Sequence, residues 1–205
     1  MTTNGPAPIT TDATSESRQR PSRWRVAGWT AAALVLLAPL VAMQVTDVVA
    51  WSASDFALMA VLLLGVSVPL EWAVRTTGDA SYRRAVLLAL AGVFFLVWLS
   101  LGVGIIGADG DPANVLYGGV LAVGVAGALL ARFRARGMAR ALVATALAQG
   151  AVALGALIAG LGGAEPGPLK IGVLNGLFVG VWLGSAALFR RATRARTPAA
   201  TPSAV

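Results

Sequence analysis

Carboxylates that fall near one end of the apolar segments are the first side chains that could bind a ligand or take part in a reaction. They are Asp47, Asp55, Asp109, Asp111 and Glu165, and Asn114 and Tyr117 lie close to them in the chain. Carboxylate and amide oxygens are the ligands that Ca²⁺ and Mg²⁺ prefer. The spacing favours a different use, because Ser52 and Asp55 form an S-x-x-D capping box, and Asp111 before Pro112 is typical of a turn that opens a helix. We therefore predict caps and turns here, and no metal ligand.

Glu71 is the one acid expected inside a helix, in the run Pro69-Leu70-Glu71-Trp72. At 1.5 Å per residue it lies about 24 Å along the helix from Asp55, near the opposite interface. An acid within a membrane helix marks an ion or proton path when it faces the interior. Near the interface, an acid can instead form an ion pair with Arg75, four residues further on. Pairing is the favoured interpretation, and Glu71 stays the candidate functional acid.

Neutral polar residues interrupt several apolar segments: Gln44, Ser100, Thr145, Gln149 and Asn175. Gln149 and Asn175 are expected nearest the midplane of the membrane. Such amides commonly link helices by hydrogen bonds, and a transport path would need the same groups. The first use is favoured, and convergence of Glu71, Gln149 and Asn175 on a wet cavity would indicate the second.

Glycines recur at strict four-residue spacing near the end of the chain, at Gly172, Gly176, Gly180 and Gly184. Because a missing side chain lets two backbones approach closely, this row predicts a helix–helix contact. A weaker row, Ala151, Gly155 and Ala159, makes the preceding helix the leading partner. A second copy of the same helix is the alternative.

The residue inventory excludes several classes of enzyme. The chain has no Cys and no His, so thiolate or imidazole metal sites and Ser–His or Cys–His catalytic pairs are ruled out. The glycines around Gly102 lie within an apolar segment and lack the lysine of a phosphate-binding loop. We predict a non-enzymatic protein with no catalytic, cofactor-binding or metal-binding residues.

Composition identifies the elements that position these residues. Hydrophobic residues make up 57% of the chain and charged residues 12%, and the mean hydropathy is +0.77. A soluble protein of this size cannot bury so much apolar surface. Six segments are long enough to span a bilayer as helices, near 26–45, 55–75, 84–107, 114–133, 138–161 and 169–190. The predicted fold is all-α: a polytopic six-transmembrane-helix bundle with short loops over 25–191, between disordered tails at 1–24 and 192–205.

The arginines predict how the chain is oriented. Every basic residue except Lys170 falls before the first segment, in or within three residues of the second or fourth loop, or at or after the end of the sixth segment. Lys and Arg in short loops stay in the cytoplasm, so both termini are predicted to be cytoplasmic. The net charge of +7 then reflects topology and contact with anionic lipid, and not a nucleic-acid partner. Aromatic residues predicted to anchor the helices at the interfaces are Trp24, Trp29, Trp51, Trp72, Tyr82 and Tyr117.

Several polar interruptions occur in an order that resembles a known family. They are MQVTD at 43–47, WSASDF at 51–56, the stretch 65–72 around Glu71, GVGIIG at 102–107, DPANVLY at 111–117 and RGMARALVATALAQ at 136–149. Over roughly residues 25–163 the chain is similar to a family of small uncharacterised bacterial inner-membrane proteins with about six helices. The resemblance implies a multi-pass protein of the bacterial cytoplasmic (inner) membrane, and it implies no catalytic residues.

Two classes of function are left open. In the first, the protein is non-enzymatic and acts through helix association with itself or with another membrane protein. In the second, it is a small transporter or channel subunit whose polar groups line an internal path. In both, the lipid bilayer is the surrounding partner.

Overall fold

The structure, a computed structural model, describes residues 23–46, 50–108, 110–161 and 167–195. Within those ranges it contains helices and no strand. The helices are α1 (Arg23–Val45), α2 (Ala53–Thr76), α3 (Ala80–Gly102), a short 3-10 helix (Pro112–Val115), α4 (Leu116–Leu130), α5 (Ala135–Ile158) and α6 (Gly167–Ala195). Among the described residues, six helical spans are long and apolar enough to cross a membrane, and the fourth of them includes the 3-10 helix together with α4. The prediction of an all-α, six-helix integral membrane protein is confirmed.

Packing follows an order different from the order of the chain. α1 packs on α2, α2 on α3, α3 on α6, α6 on α5, and α5 on α4. α6 therefore lies between α3 and α5, with Ile171, Phe178, Trp182 and Phe189 fully buried on its inner face. α3 and α4 contact each other only slightly, which leaves a gap between α2 and α4.

At two of these interfaces, α3 with α6 and α4 with α5, a glycine allows the two helices to approach each other closely. A Cβ on Gly92 of α3 would lie 2.8 Å from the ring of Trp182 and 2.9 Å from Val181, both on α6. A Cβ on Gly127 of α4 would lie 2.6 Å from the Cβ of Ala141 on α5. Real side chains do not tolerate such separations, so both positions require glycine for this packing.

The third helix ends at Gly102 and not near 107 as predicted. Gly104 and Gly107 both have φ of +70°, a left-handed conformation that glycine adopts without steric cost. Asn114 then holds the loop, since its Oδ1 accepts from the backbone N–H groups of Ile105 (2.9 Å) and Ile106 (3.0 Å). Its Nδ2 donates to the carbonyls of Ile106 (3.1 Å) and Ala108 (3.0 Å). Residues 104–107 are thus a buried loop and not a continuation of the helix.

The turn between α4 and α5 is also fixed by a side chain from elsewhere. Arg132 and Phe133 have φ of 47° and 56°, which is uncommon for residues other than glycine. The hydroxyl of Tyr82 on α3 donates to the carbonyl of Phe133 at 2.7 Å, and the Phe133 ring meets Trp72 of α2 edge-on at 5.6 Å. The surrounding contacts therefore maintain a conformation that the local sequence does not favour.

The predicted tails lie mostly outside the described residues. α6 extends beyond the predicted end near 190 and runs to Ala195, because Ala192 is fully buried and continues its inner face. α1 is largely exposed along its length, and it packs against α2.

Candidate functional site

A buried polar cluster joins three helices at the centre of the packed region. The Nε2 of Gln149 on α5 donates to the Oδ1 of Asn175 on α6 at 2.7 Å. The Nδ2 of Asn175 donates to the carbonyl of Ile171 at 2.8 Å and lies 3.0 Å from the hydroxyl of Tyr117 on α4. That hydroxyl also lies 3.1 Å from the Asn175 Oδ1. All three side chains are at most 2% exposed, so the helices enclose this cluster.

The prediction for Tyr117 was wrong. It was expected to anchor α4 at a membrane interface, whereas its side chain is 1% exposed and hydrogen-bonded to Asn175. Tyr117 belongs to the same buried cluster as Ile105 and Ile106, the loop residues whose backbone N–H groups bond to Asn114. Tyr82 was likewise expected at an interface, and it is 6% exposed beneath the turn between α4 and α5.

Glu71 lies between two arginines near the arginine-rich end of α2. Its Oε1 is 2.7 Å from the Nε of Arg75, one helical turn further on, and 2.5 Å from the Nε of Arg25 on α1. The pairing with Arg75 agrees with the favoured prediction, while the contact with Arg25 links α1 to α2 and was not foreseen. An i+4 pair is visible in a sequence, but a partner on another helix is not.

Glu71 and the amides do not share a site. Gln149 bonds to Asn175, which also bonds to Tyr117, whereas the ionic contacts of Glu71 within the described residues are to arginines. Within the described residues, Glu71, Gln149 and Asn175 do not meet around one cavity, the arrangement that would indicate a transport path. The Oε1 of Gln149 is buried and has no hydrogen-bond partner among the described residues.

Other polar side chains bond within or between helices. The hydroxyl of Thr145 donates to the carbonyl of Ala141 on its own helix at 2.9 Å. Ser185 on α6 donates to the carbonyl of Ala85 on α3 at 2.7 Å, a contact that sequence analysis did not single out. A serine within an apolar helix gives only a weak signal, because its hydroxyl most often bonds to its own backbone.

The described carboxylates at the opposite end of the helices cap them. The Oδ2 of Asp55 lies 2.7 Å from both the backbone nitrogen and the hydroxyl of Ser52, and the Ser52 hydroxyl accepts from the Asp55 N–H at 3.3 Å. The Oδ1 of Asp111 accepts from the backbone N–H of Ala113 at 2.8 Å, with Pro112 as the first residue of the 3-10 helix. The predicted capping box and turn are confirmed. The other three acids named from the sequence, Asp47, Asp109 and Glu165, lie outside the described residues. Within the described residues, no three His, Cys, Asp or Glu side chains are grouped so that they could hold a metal ion.

The glycine row of α6 faces away from α5. Gly172, Gly176 and Gly180 are exposed, and no atom lies within 4 Å of the position that a Cβ would occupy on any of them. Gly184 alone of the row approaches another helix, since its Cβ would lie 3.4 Å from Leu88 of α3. The predicted contact with α5 is therefore wrong, because α6 turns its large side chains and Asn175 toward α3 and α5 instead. The companion row on α5, Ala151, Gly155 and Ala159, is exposed as well.

Comparison with known proteins gives no relative: no family model matches the chain, and neither does any curated protein or solved structure at a significant level.

Proposed function

We propose that this integral membrane protein is non-enzymatic and acts by helix association, with the outward face of α6 binding the same face of a second copy. The observation that carries the proposal is the open position of Gly172, Gly176 and Gly180. A membrane helix gains nothing from exposing glycines to lipid, since each one lowers helix propensity by about 1 kcal/mol relative to alanine. Close packing of another helix against the glycines would offset this cost.

The face also carries the ridge that such a contact requires. Val173 and Leu177 directly follow Gly172 and Gly176, and each is 60% exposed. On a helix, neighbouring residues of this kind form a raised strip beside a glycine groove. Two copies can therefore place the ridge of one helix in the groove of the other, in the right-handed crossing found for G-x-x-x-G contacts.

A second copy is favoured over another protein because the face is self-complementary. In a two-fold symmetric dimer the same patch is used on both subunits, so a ridge and its matching groove must occur together on one surface. Lipid tails are as apolar as leucine, and the driving force is then backbone-close van der Waals packing. The inner face of α6 is not available for this contact, because Trp182 and Phe178 on that face are buried within their own chain.

The transporter alternative has less support. Asn175 bonds to both Gln149 and Tyr117 in an enclosed cluster, and Glu71 is neutralised by two arginines elsewhere. The described acids Asp55 and Asp111 are used as helix caps. These contacts support structural roles for the polar groups that form them.

The proposal includes the bacterial cytoplasmic membrane as the location, with both termini in the cytoplasm. The support is the distribution of arginines, which favours this orientation, and the resemblance to six-helix bacterial inner-membrane proteins. The described arginines of both arginine-rich loops lie at the same end of the helices as Glu71.

Light scattering of the protein purified in mild detergent tests the proposal. Wild type is expected to have twice the chain mass of 20.8 kDa, and Gly176→Leu is expected to be monomeric. The matched control is Gly119→Leu on α4, which is also an exposed glycine with open space at its Cβ and should remain dimeric. A monomeric wild type, or a dimer that persists in Gly176→Leu, would overturn the proposal.

A further inference from the structure

A second feature of the molecule is a cleft between α2 and α4, with a volume of about 490 Å³. Its floor is formed by α3, α5 and Trp182 of α6, and it arises because α4 packs on α5 and barely touches α3. A cavity of this size is within the range of small-molecule and lipid sites. It occupies the half of the helices nearer their arginine-rich ends, as its lining by Trp72 and Phe133 indicates.

The lining is almost wholly apolar. Its few polar groups include the hydroxyl of Thr145, which bonds to Ala141, and that of Tyr82, which bonds to Phe133. The cleft is therefore suited to a hydrocarbon chain and not to an ion or a polar solute.

The cleft opens sideways, between two helices that face the bilayer. Val68 of α2 and Val125 of α4 stand on its two sides and are 54% and 58% exposed. An unfilled apolar cleft would forfeit the dispersion contacts of its lining. The neighbouring molecules able to restore them within a membrane are lipid acyl chains.

Positive charge at one end of the cleft indicates which lipid. Arg132 and Arg134 immediately precede and follow Phe133, which lines the cleft beside Trp72. Both arginines are exposed, and neither forms an ion pair with an acid in the described part of the chain. Guanidinium groups bind phosphate oxygens strongly, and basic residues at this depth attract anionic headgroups.

We infer that the cleft between α2 and α4 is a binding site for an anionic phospholipid. One acyl chain fills the space between Val68 and Val125, and the headgroup phosphate lies at Arg132 and Arg134. The site is separate from the glycine face of α6, which contributes no residue to the cleft.

Photolabelling in bilayers tests this inference. The probe is phosphatidylglycerol carrying a diazirine in one acyl chain, and phosphatidylcholine with the same chain is the comparison. Labelled peptides from α2 and α4 around Val68 and Val125 are expected with phosphatidylglycerol. Gly65→Phe should remove this labelling, because Gly65 lines the cleft and has open space at its Cβ, so that the ring can occupy the space of the acyl chain.

One control variant and two charge variants complete the experiment. Gly119→Phe introduces the same ring on α4 outside the cleft lining and should label as wild type does. Arg132→Gln and Arg134→Gln should each lower the preference for phosphatidylglycerol by about fivefold, the effect expected of one basic residue near an anionic headgroup. Labelling that is unchanged in Gly65→Phe would overturn the site. Equal labelling by the two lipids in wild type would overturn its anionic character.

Discussion

The Nε2 of Gln149 lies 2.7 Å from the Oδ1 of Asn175, a hydrogen bond that joins α5 to α6 where both side chains are at most 2% exposed. The same amide of Asn175 reaches Tyr117 on α4. One residue thus connects α4, α5 and α6, and its loss should affect all three.

Replacement of Asn175 should destabilise the protein more than replacement of its partners. Asn175→Ala leaves the buried donors of Gln149 and Tyr117 without their acceptor, a cost of about 1–3 kcal/mol. Tyr117→Phe removes one interhelical hydrogen bond, worth about 0.6 kcal/mol in membranes. Reversible unfolding in mixed detergent micelles measures both. A larger loss in Tyr117→Phe than in Asn175→Ala would contradict the central position of Asn175.

Gly92 should be intolerant of even a methyl group. Gly92→Ala places a Cβ 2.8 Å from the Trp182 ring, and overpacking of this kind costs about 1–3 kcal/mol. Gly150→Ala, where the same methyl group meets open space, is the matched control and should unfold at or above the wild-type temperature. The double variant Gly92→Ala/Trp182→Leu should lose less stability than the sum of the single variants. Equal unfolding temperatures of Gly92→Ala and Gly150→Ala would show that α3 and α6 are further apart.

Glu71→Gln should leave expression and the unfolding temperature close to those of wild type. Glu71 is paired at the helix end with Arg25 and Arg75, both partly exposed, and ion pairs of this kind contribute little to stability. Arg75→Gln should behave in the same way. If Glu71→Gln abolished a proton- or cation-dependent phenotype while expression stayed normal, a transport role for this acid would replace the pairing.

Reporter fusions test the orientation. Fusions after Arg25, Arg84, Arg136 and Arg196 should be active only with a cytoplasmic reporter, because basic loops stay in the cytoplasm. Fusions after Asp47, Asp111 and Glu165 should be active only with a reporter that works outside it. A single inverted pair in the middle loops would require a different number of membrane crossings.

The sequence predicts the helices well because hydrophobic length is a local property. Segment length and polar interruptions placed all six, and the Ser52–Asp55 box and the turn at Asp111 were correct because caps depend on residues three or four positions apart. The end of α3 was missed, since it depends on Asn114 from beyond the loop.

The partners of the helices could not be predicted in the same way. Periodicity shows that Gly172, Gly176 and Gly180 share a face, but which neighbour lies opposite depends on how all six helices pack. α6 packs between α3 and α5 with its large side chains, among them Trp182, on the buried face, and the glycines therefore lie on the exposed face. The role of Tyr117 was missed for the same reason, because its partner Asn175 is 58 residues away.

Disulfide cross-linking in isolated membranes tests self-association through α6 most directly. The chain contains no cysteine, so a single introduced thiol can form no disulfide within its own chain. A cross-linked product of twice the chain mass then identifies pairing with a second copy. Gly172→Cys, Gly176→Cys and Gly180→Cys should give cross-linked dimers under oxidation, since disulfides require Cα atoms within about 7 Å. Leu147→Cys on α5 and Leu87→Cys on α3, which are 70% and 52% exposed in wild type, should not. Absence of dimers from all three glycine positions, or equal yields from the two controls, would contradict the account.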